Sequence, residues 1–415
     1  MIAEDVLQKA VPYYQPIVAI DRGTVAAHEV LARAVTPDGV ISLGPWFHDP
    51  TVPVATHDAI DQAVLSHALK TFQATDGSEW LTFNVNPRSF CGRESAARGR
   101  PYPLDILTMS GVNPARTVLE ITEEACALDS PGFLGTIHQF REAGYRIAID
   151  DMGVGASGLG RLAALRPDIV KVDRSLVVAA VRDSSYAAIL EGLSVVTAKM
   201  GTALLLEGVE TAAEMNLALR VGAQYIQGFL FAPALPNFTH PDRFTPIISD
   251  HLERFRRRRL NGLDRHFDLR ATVQATIRSG LSQTSRTLPD QSASSSHRDA
   301  WSELGVELLT TLPPACYRLY VCKSEGWQVS GNVERTASGI TVVDPKNLGS
   351  NWSARPYFLD NVVIADRSQH AVLSSTYEDR ATHRATKTIT YPIGQDVYLF
   401  VDIDTNEVDP LHYPE

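Results

Sequence analysis

The stretch RIAIDDMGVGASG, residues 146–158, sets Asp150 and Asp151 side by side at the end of an apolar run, and Gly153 and Gly155 follow at once. The run reads as a strand covered on both faces, and the glycines permit a tight turn above its end. Two adjacent carboxylates at one strand end repel each other unless an opposite charge holds them. Working outward, the same pattern recurs. The runs YYQPIVAI, TVAAHEVLAR, WLTFNVN, TVLEIT, RIAIDD, DIVKVD, TALLLEGVE and YIQGFLF follow in order between residues 13 and 231. Amphipathic stretches of helical length, such as 59–72, 131–143, 185–200 and 212–221, separate most of them.

That alternation predicts an α/β fold, a parallel sheet with helices outside, closed as a (β/α)8 barrel of the triosephosphate isomerase type. Nearly every run carries a polar residue at or near its end: Glu29, Asn84, Glu120, Asp150, Lys171, Glu207 and Gln227. Side chains alternate along a strand, so Glu120 shares a face with Val118, Lys171 with Ile169 and Glu207 with Leu205. In a barrel of this kind the carboxyl ends of the strands converge on one mouth. The pattern therefore gathers carboxylates, a lysine and two amides at one place.

Beyond residue 236 the composition changes. Residues 244–281 read as helix and carry the run RFRRRR at 254–259, which reads as a solvated helix face; SQTSRTLPDQSASSSHRD is then a Ser-rich break,. From Trp301 onward, β-branched and aromatic runs such as KTITYPIGQDVYLFVDID predict hairpins of a smaller α+β domain. The boundaries read as 1–240 for the barrel, 241–300 for a helical connector and linker, and 301–415 for the second domain. The chain of 415 residues has a formal charge of -10, which argues against long nucleic acid as a partner,. No apolar run approaches the roughly 18 residues of a membrane span. The start MIAEDVLQKAVPYYQ lacks the basic region and apolar core of a secretory signal, and Cys91, Cys126, Cys316 and Cys322 have no zinc or disulfide spacing,. A cytoplasmic protein with reduced thiols is the expectation. His28, His48 and His57 have no ligand spacing and read as structural.

Glu29, Glu120, Asp150 and Asp151 cannot all stay ionised in one mouth without cations. Carboxylates with the Asn84 amide, and no cysteine or clustered histidine, point to magnesium or manganese. Asp150 and Asp151 can divide between two ions, the arrangement that cleaves phosphodiesters with an activated water.

These residues fall in motifs that resemble one family. YYQPIV, EVLAR, FNVNP, LEITE, IDDMGVG, DIVKVDRS, EGVET and QGFLFAPALP stand in the order of the EAL domain of bacterial cyclic di-GMP phosphodiesterases, from about residue 13 to 236. The resemblance implies a two-metal hydrolysis of cyclic di-GMP to linear pGpG. It implies Glu29, Asn84, Glu120, Asp150, Asp151, Asp173 and Glu210 as ligands of two Mg2+ or Mn2+ ions. Lys171 would orient the attacking water and phosphate, and Glu207 would be the general base. Arg33 would contact a ligand phosphate, Gln15 and Gln227 would fix the dinucleotide, and Glu123 would steady the glycine loop. A homodimer is implied as well. Val30, Met152, Val154 and Ala156 depart from the family's usual residues, the last three in the loop behind the aspartates.

Two rivals stand beside the phosphodiesterase: a catalytically weak or inactive cyclic di-GMP receptor that signals to a partner, and a barrel enzyme acting on another substrate with the same metals. Retention of the acids, Asn84, Lys171 and Glu207 favours the enzyme. In the second domain, NWSARPYFLD resembles a W-x-x-R-P-Y-F signature of PAS-like Cache (PDC) sensor domains. That resemblance implies a pocket with Arg355, Tyr357 and Tyr377 for a small ligand, of anionic character. The alternative reading makes the aromatic residues core and pairs Arg355 internally.

Overall fold

The structure, a computed structural model, describes residues 9–47, 52, 54–75, 77–85, 103–122, 131–153, 158–283, 295–343 and 347–408. The chain divides into two compact units, Met1–Phe255 and Arg256–Glu415. In the first, the strands are β1 (Ala10–Ala19), β2 (Thr24–Thr36), β3 (Gly39–Ser42), β4 (Trp80–Asn84), β5 (Thr117–Thr122), β6 (Arg146–Met152), β7 (Ile169–Val172), β8 (Ala203–Leu206) and β9 (Tyr225–Ile226). They pair in the order β1-β9-β8-β7-β6-β5-β4-β2-β3, and β1 pairs β2 as well, so eight strands close a barrel and β3 is an arm on β2.

The strands from β4 to β9 and β2 run parallel, as the alternation predicts, whereas β1 lies antiparallel to both β2 and β9. The reason is the short link between the first two runs. Gly23 sits at φ 66 and its N–H donates to Ala19 O at 2.9 Å, closing a turn too short for a crossover helix,. A hairpin is the connection left to the chain, and the purely parallel expectation fails at this one strand.

Helices Val54–Gln73, Pro131–Glu142, Ser184–Met200 and Ala212–Val221 cover the barrel close to their expected places. Thr211 of the EGVET stretch starts the last of these. Its hydroxyl accepts from Glu214 N at 3.2 Å, while the Glu214 carboxylate accepts from Thr211 N at 3.0 Å and Glu210 N at 2.6 Å,. The barrel interior is plugged by Ile17, Ala27, Val118, Ala148, Ile169 and Leu205, one from each of six strands.

The second unit is an antiparallel sheet of β10 (Cys316–Lys323), β11 (Asn332–Thr336), β12 (Gly339–Val343), β13 (Val372–Leu373), β14 (Tyr377–Glu378), β15 (Ala385–Gly394) and β16 (Val397–Asp404). Leu319, Val321, Leu399 and Val401 pack against Val273 and Ile277 of the long helix Thr245–Gln283 and against Leu304 and Leu308 of helix Ser295–Thr311. The later half of the long helix, read from sequence as connector, thus belongs to this unit's core, and the Ser-rich break gives way to helix at Ser295. The arginine run is solvated, with Arg254 paired to Asp250 at 2.9 Å on the same helix. Cys316 and Cys322 are buried and free; Cys91 and Cys126 lie outside the described residues. No described helix is long and apolar enough to cross a membrane.

Leu205 is 1% exposed at the centre of the barrel plug. Leu205→Ala is expected to lower stability by about 2–5 kcal/mol, read from urea denaturation, because the surrounding strands cannot collapse on the void.

Candidate active site

Two residues beyond each plug residue the same strand face turns polar. Ala27 leads to Glu29, Val118 to Glu120, Ala148 to Asp150, Ile169 to Lys171 and Leu205 to Glu207,. On the antiparallel β1 the offset runs backwards, from Ile17 to Gln15, which pairs directly with Glu29. The apolar floor and the polar ring above it are therefore one consequence of strand alternation.

Lys171 is the hub of the ring. Its ammonium, 1% exposed, lies 2.7 Å from Glu207, 2.8 Å from Glu120, 3.1 Å from Asp150 and 3.7 Å from Glu29. Glu29 also accepts from Asn84 Nδ2 at 3.1 Å and from Gln227 Nε2 at 2.6 Å. Burial alone would lower the Lys171 pKa, but Asp150, Glu120, Glu207 and Glu29 together hold it well above its ordinary value. Burial pushes Glu120 up to about 8 against the pull of Lys171, with Glu29 and Asp150 adding to the rise. Glu207 is raised well above its ordinary value for the same reasons.

The adjacent aspartates reach the mouth through an irregularity. The register of β6 on β7 slips between Ile149 and Met152, and Asp151 takes a left-handed φ of 58, a bulge that re-aims two consecutive side chains,. Asp151 N donates to Asp150 Oδ1 at 3.0 Å. Gly153, at φ 109, closes the turn against Leu176, where an added Cβ would lie 2.7 Å from Cδ2. Met152 is buried in the outer core. Glu123, Gly155, Val154 and Ala156 lie outside the described residues.

Carboxylate oxygens of Glu29, Glu120 and Asp150 lie within 4.8 Å of one another, as do those of Asp150, Asp151 and Glu207. Two acid groups thus share Asp150. Five carboxylates face one ammonium, every donor is oxygen, and the buried Gln227 Oε1 has no hydrogen-bond partner among the described residues. That donor set fits hard divalent cations such as magnesium, manganese or calcium.

The remaining predicted residues sit around this centre with other contacts. Asp173 caps helix Arg174–Arg182, accepting from Ser175 N at 2.8 Å, and Glu210 pairs with Arg174 at 2.8 Å. Gln15 Nε2 donates to Ala232 O at 3.4 Å, and the half-buried Arg33 donates to Ala32 O at 3.0 Å. Arg174 is the residue that the sequence reading passed over. It also donates to Gly208 O, tying the end of β7 to the segment carrying Glu207 and Glu210. Its only signal in sequence is a cation directly after the strand-end acid of DIVKVD. His28 accepts from Thr239 N at 2.9 Å, and burial lowers its pKa to about 4, so it is a neutral structural group. His57 packs on the rings of Trp46 and Phe47, while His48 lies outside the described residues. In the second unit Tyr357 and Tyr377 stack on each other, and Arg355 lies over the Trp352 ring at 4.9 Å.

Residues 4–234 match the EAL domain family, and residues 241–407 match the EAL-domain associated signalling protein domain. The chain is 27% identical over 400 residues to YkuI, an uncharacterised EAL-domain containing protein of Bacillus subtilis, covering 96% of this chain and 95% of YkuI. The crystal structure of YkuI in complex with substrate c-di-GMP and calcium is similar with a TM-score of 0.84 over 96% of each chain. Identity to the probable cyclic di-GMP phosphodiesterase PdeB of Escherichia coli is 31% over 229 residues, 54% of this chain and 42% of PdeB. For the cyclic di-GMP phosphodiesterase RocR of Pseudomonas aeruginosa it is 29% over 231 residues, 54% of this chain and 57% of RocR. The chain spans about half the length of these last two relatives.

Two outcomes test the electrostatics of the ring. A carboxyl raised from 4.5 to about 8 on folding binds its proton more tightly in the folded state. Stability of the metal-free protein should therefore be full below that ordinary value and fall as pH rises through 8, and magnesium or manganese should reduce the slope. Thermal melts across that range, with and without chelator, measure it; a flat metal-free profile would show that Lys171 alone keeps the acids ionised. Lys171→Met, which removes the buried ammonium from among the acids, should cost about 3–5 kcal/mol in the metal-free protein.

Proposed function

The chain belongs to the EAL domain family, whose match takes in more than half of it, and on that premise we propose that its barrel hydrolyses cyclic di-GMP, breaking one phosphodiester bond to leave linear pGpG. The observation that carries this reading is the pair of acid groups sharing Asp150 around one buried lysine. Two magnesium or manganese ions, held by Glu29, Asn84, Glu120, Asp150 and Asp151 with Asp173 and Glu210, would polarise the phosphoryl oxygens and lower the pKa of the attacking water.

The chain's own groups supply the rest. Glu207, whose raised pKa makes it a good proton acceptor, takes a proton from the water as its oxygen bonds to phosphorus,. The bond to the ribose 3′ oxygen breaks, and that oxygen takes up a proton from solvent. Lys171, 2.7 Å from Glu207, pulls that carboxyl's pKa down against its burial and orients water and phosphate. Arg33 lies four residues along β2 from Glu29 on the same face and holds a phosphate. Gln15 and Gln227 fix the dinucleotide. The second unit, matched to a signalling domain, acts as regulator in the manner of PAS-like or Cache-like sensors.

The test is product analysis with cyclic di-GMP and manganese or magnesium. Wild type should release pGpG, and Glu29→Ala and Glu207→Gln should each lower kcat about a hundredfold or more. Tight binding by wild type without turnover would make the chain a receptor instead, and an unchanged rate in Glu207→Gln would remove that residue as the base.

A further inference from the structure

The later half of the long helix Thr245–Gln283 buries Val273 and Ile277 in the core of the second unit, and the helix face beside them stays open. A groove of about 620 Å³ lies there, between the helix and His370, which follows helix Phe358–Ser368. Ala271 and Ala275, one turn apart, contribute only methyl groups to it, and that leaves the space,. The polar groups around them are Arg270, Gln274, Arg278, Ser279, Ser282 and His370, and no carboxylate lines the groove among the described residues. In a chain of net charge -10 this is a local reversal of sign,.

The contacts that shape the groove leave donors unspent. Gln274 Oε1 accepts from Ala371 N at 2.8 Å, which fixes the amide so that Nε2 donates to His370 Nδ1 at 3.2 Å,. With Nδ1 as acceptor, the neutral ring carries its proton on Nε2, and that N–H makes no hydrogen bond among the described residues,. Arg270 is held from two sides: Cζ lies 4.9 Å from the centroid of the Phe267 ring, and Nη1 donates to Ala371 O at 3.5 Å. The rest of its fork of N–H groups is unspent. Arg278 makes no hydrogen bond, ion pair or ring contact among the described residues. The unspent nitrogen groups are thus all donors, and two of them carry a permanent positive charge.

We propose that this groove binds a small organic dianion, one acidic group on Arg270 and His370 and the other on Arg278. A guanidinium meets a carboxylate or a phosphate through two parallel N–H donors. Arg270 and Arg278 stand eight residues apart on one helix, so their Cα atoms are separated by about 12 Å along its axis,. That spacing suits two charged ends joined by a short chain better than a point ion. A cation would meet two guanidiniums and no acid, and an apolar molecule would cover donors without pairing them. Arg355 and Tyr357, which the sequence signature offers for an anionic ligand, are not part of this groove. The site lies wholly within the second unit and does not depend on the reading of the barrel.

The test is calorimetric titration of the full chain, at constant ionic strength and with divalent ions removed, with glutarate and with fructose 1,6-bisphosphate. Butyrate is the singly charged counterpart and putrescine the cationic one. Saturable binding of at least one dianion is the expected result, with butyrate about tenfold weaker or more and no binding of putrescine; which dianion binds tells whether the acid is carboxyl or phosphoryl. Arg278→Gln removes a side chain without a partner among the described residues, so it should fold normally while weakening the dianion about tenfold or more, the worth of a charged hydrogen bond. Ala275→Leu fills the groove with a good helix former and should abolish binding, with circular dichroism confirming the fold. Failure of both dianions to bind at millimolar concentration overturns the site, and binding of putrescine overturns the charge assignment. Butyrate as tight as glutarate overturns the two-point recognition. Unchanged affinity in Arg278→Gln overturns the part given to that residue, and unchanged affinity in Ala275→Leu overturns the groove as the place of binding.

Discussion

A single buried ammonium holds the barrel mouth together. Lys171 lies within 3.7 Å of four carboxylates, three on strands and Glu207 directly after β8, and its own charge survives burial because those acids surround it. The reverse does not hold. One cation cannot satisfy five acids, so Glu120 and Glu207 are left with strongly raised pKa values,. A site arranged in this way stores electrostatic repulsion that divalent cations relieve, and the oxygen-only donor set decides which cations those are.

What brings the acids together is strand alternation acting on a closed barrel. An apolar residue plugs the interior, and the next residue on the same face is polar, so floor and ring are built by the same strands,. The exception is informative. A regular strand would turn Asp150 and Asp151 to opposite faces; the register slip on β7 and the left-handed Asp151 let both serve one mouth,. Arg174 then ties the loop after β7 to the segment after β8, which links the helix cap at Asp173 to the position of Glu207. The capping box of Thr211 and Glu214 anchors the far end of that segment.

The second unit follows the opposite logic on its inner face. There a sheet buries a polar row and satisfies it with one arginine, three acids and a threonine, while its other face makes an ordinary apolar core with two helices. Burying such a row costs more than burying leucines would, unless the groups serve a ligand or fix a unique arrangement.

The residues themselves determined the number and order of the barrel strands, the polar residue at each strand end and the oxygen chemistry of the site. Each of these depends on alternation or on side-chain type, which are local and can be read along the chain. Tertiary structure alone decided the antiparallel course of β1, the role of Lys171 as hub, the bulge that re-aims Asp151 and the reach of Arg174 to Gly208. It also assigned the later half of the long helix to the second core and set Arg318 against Asp402. These features arise from pairing between strands far apart in sequence. Register and barrel closure fix such pairing only when the whole chain is folded.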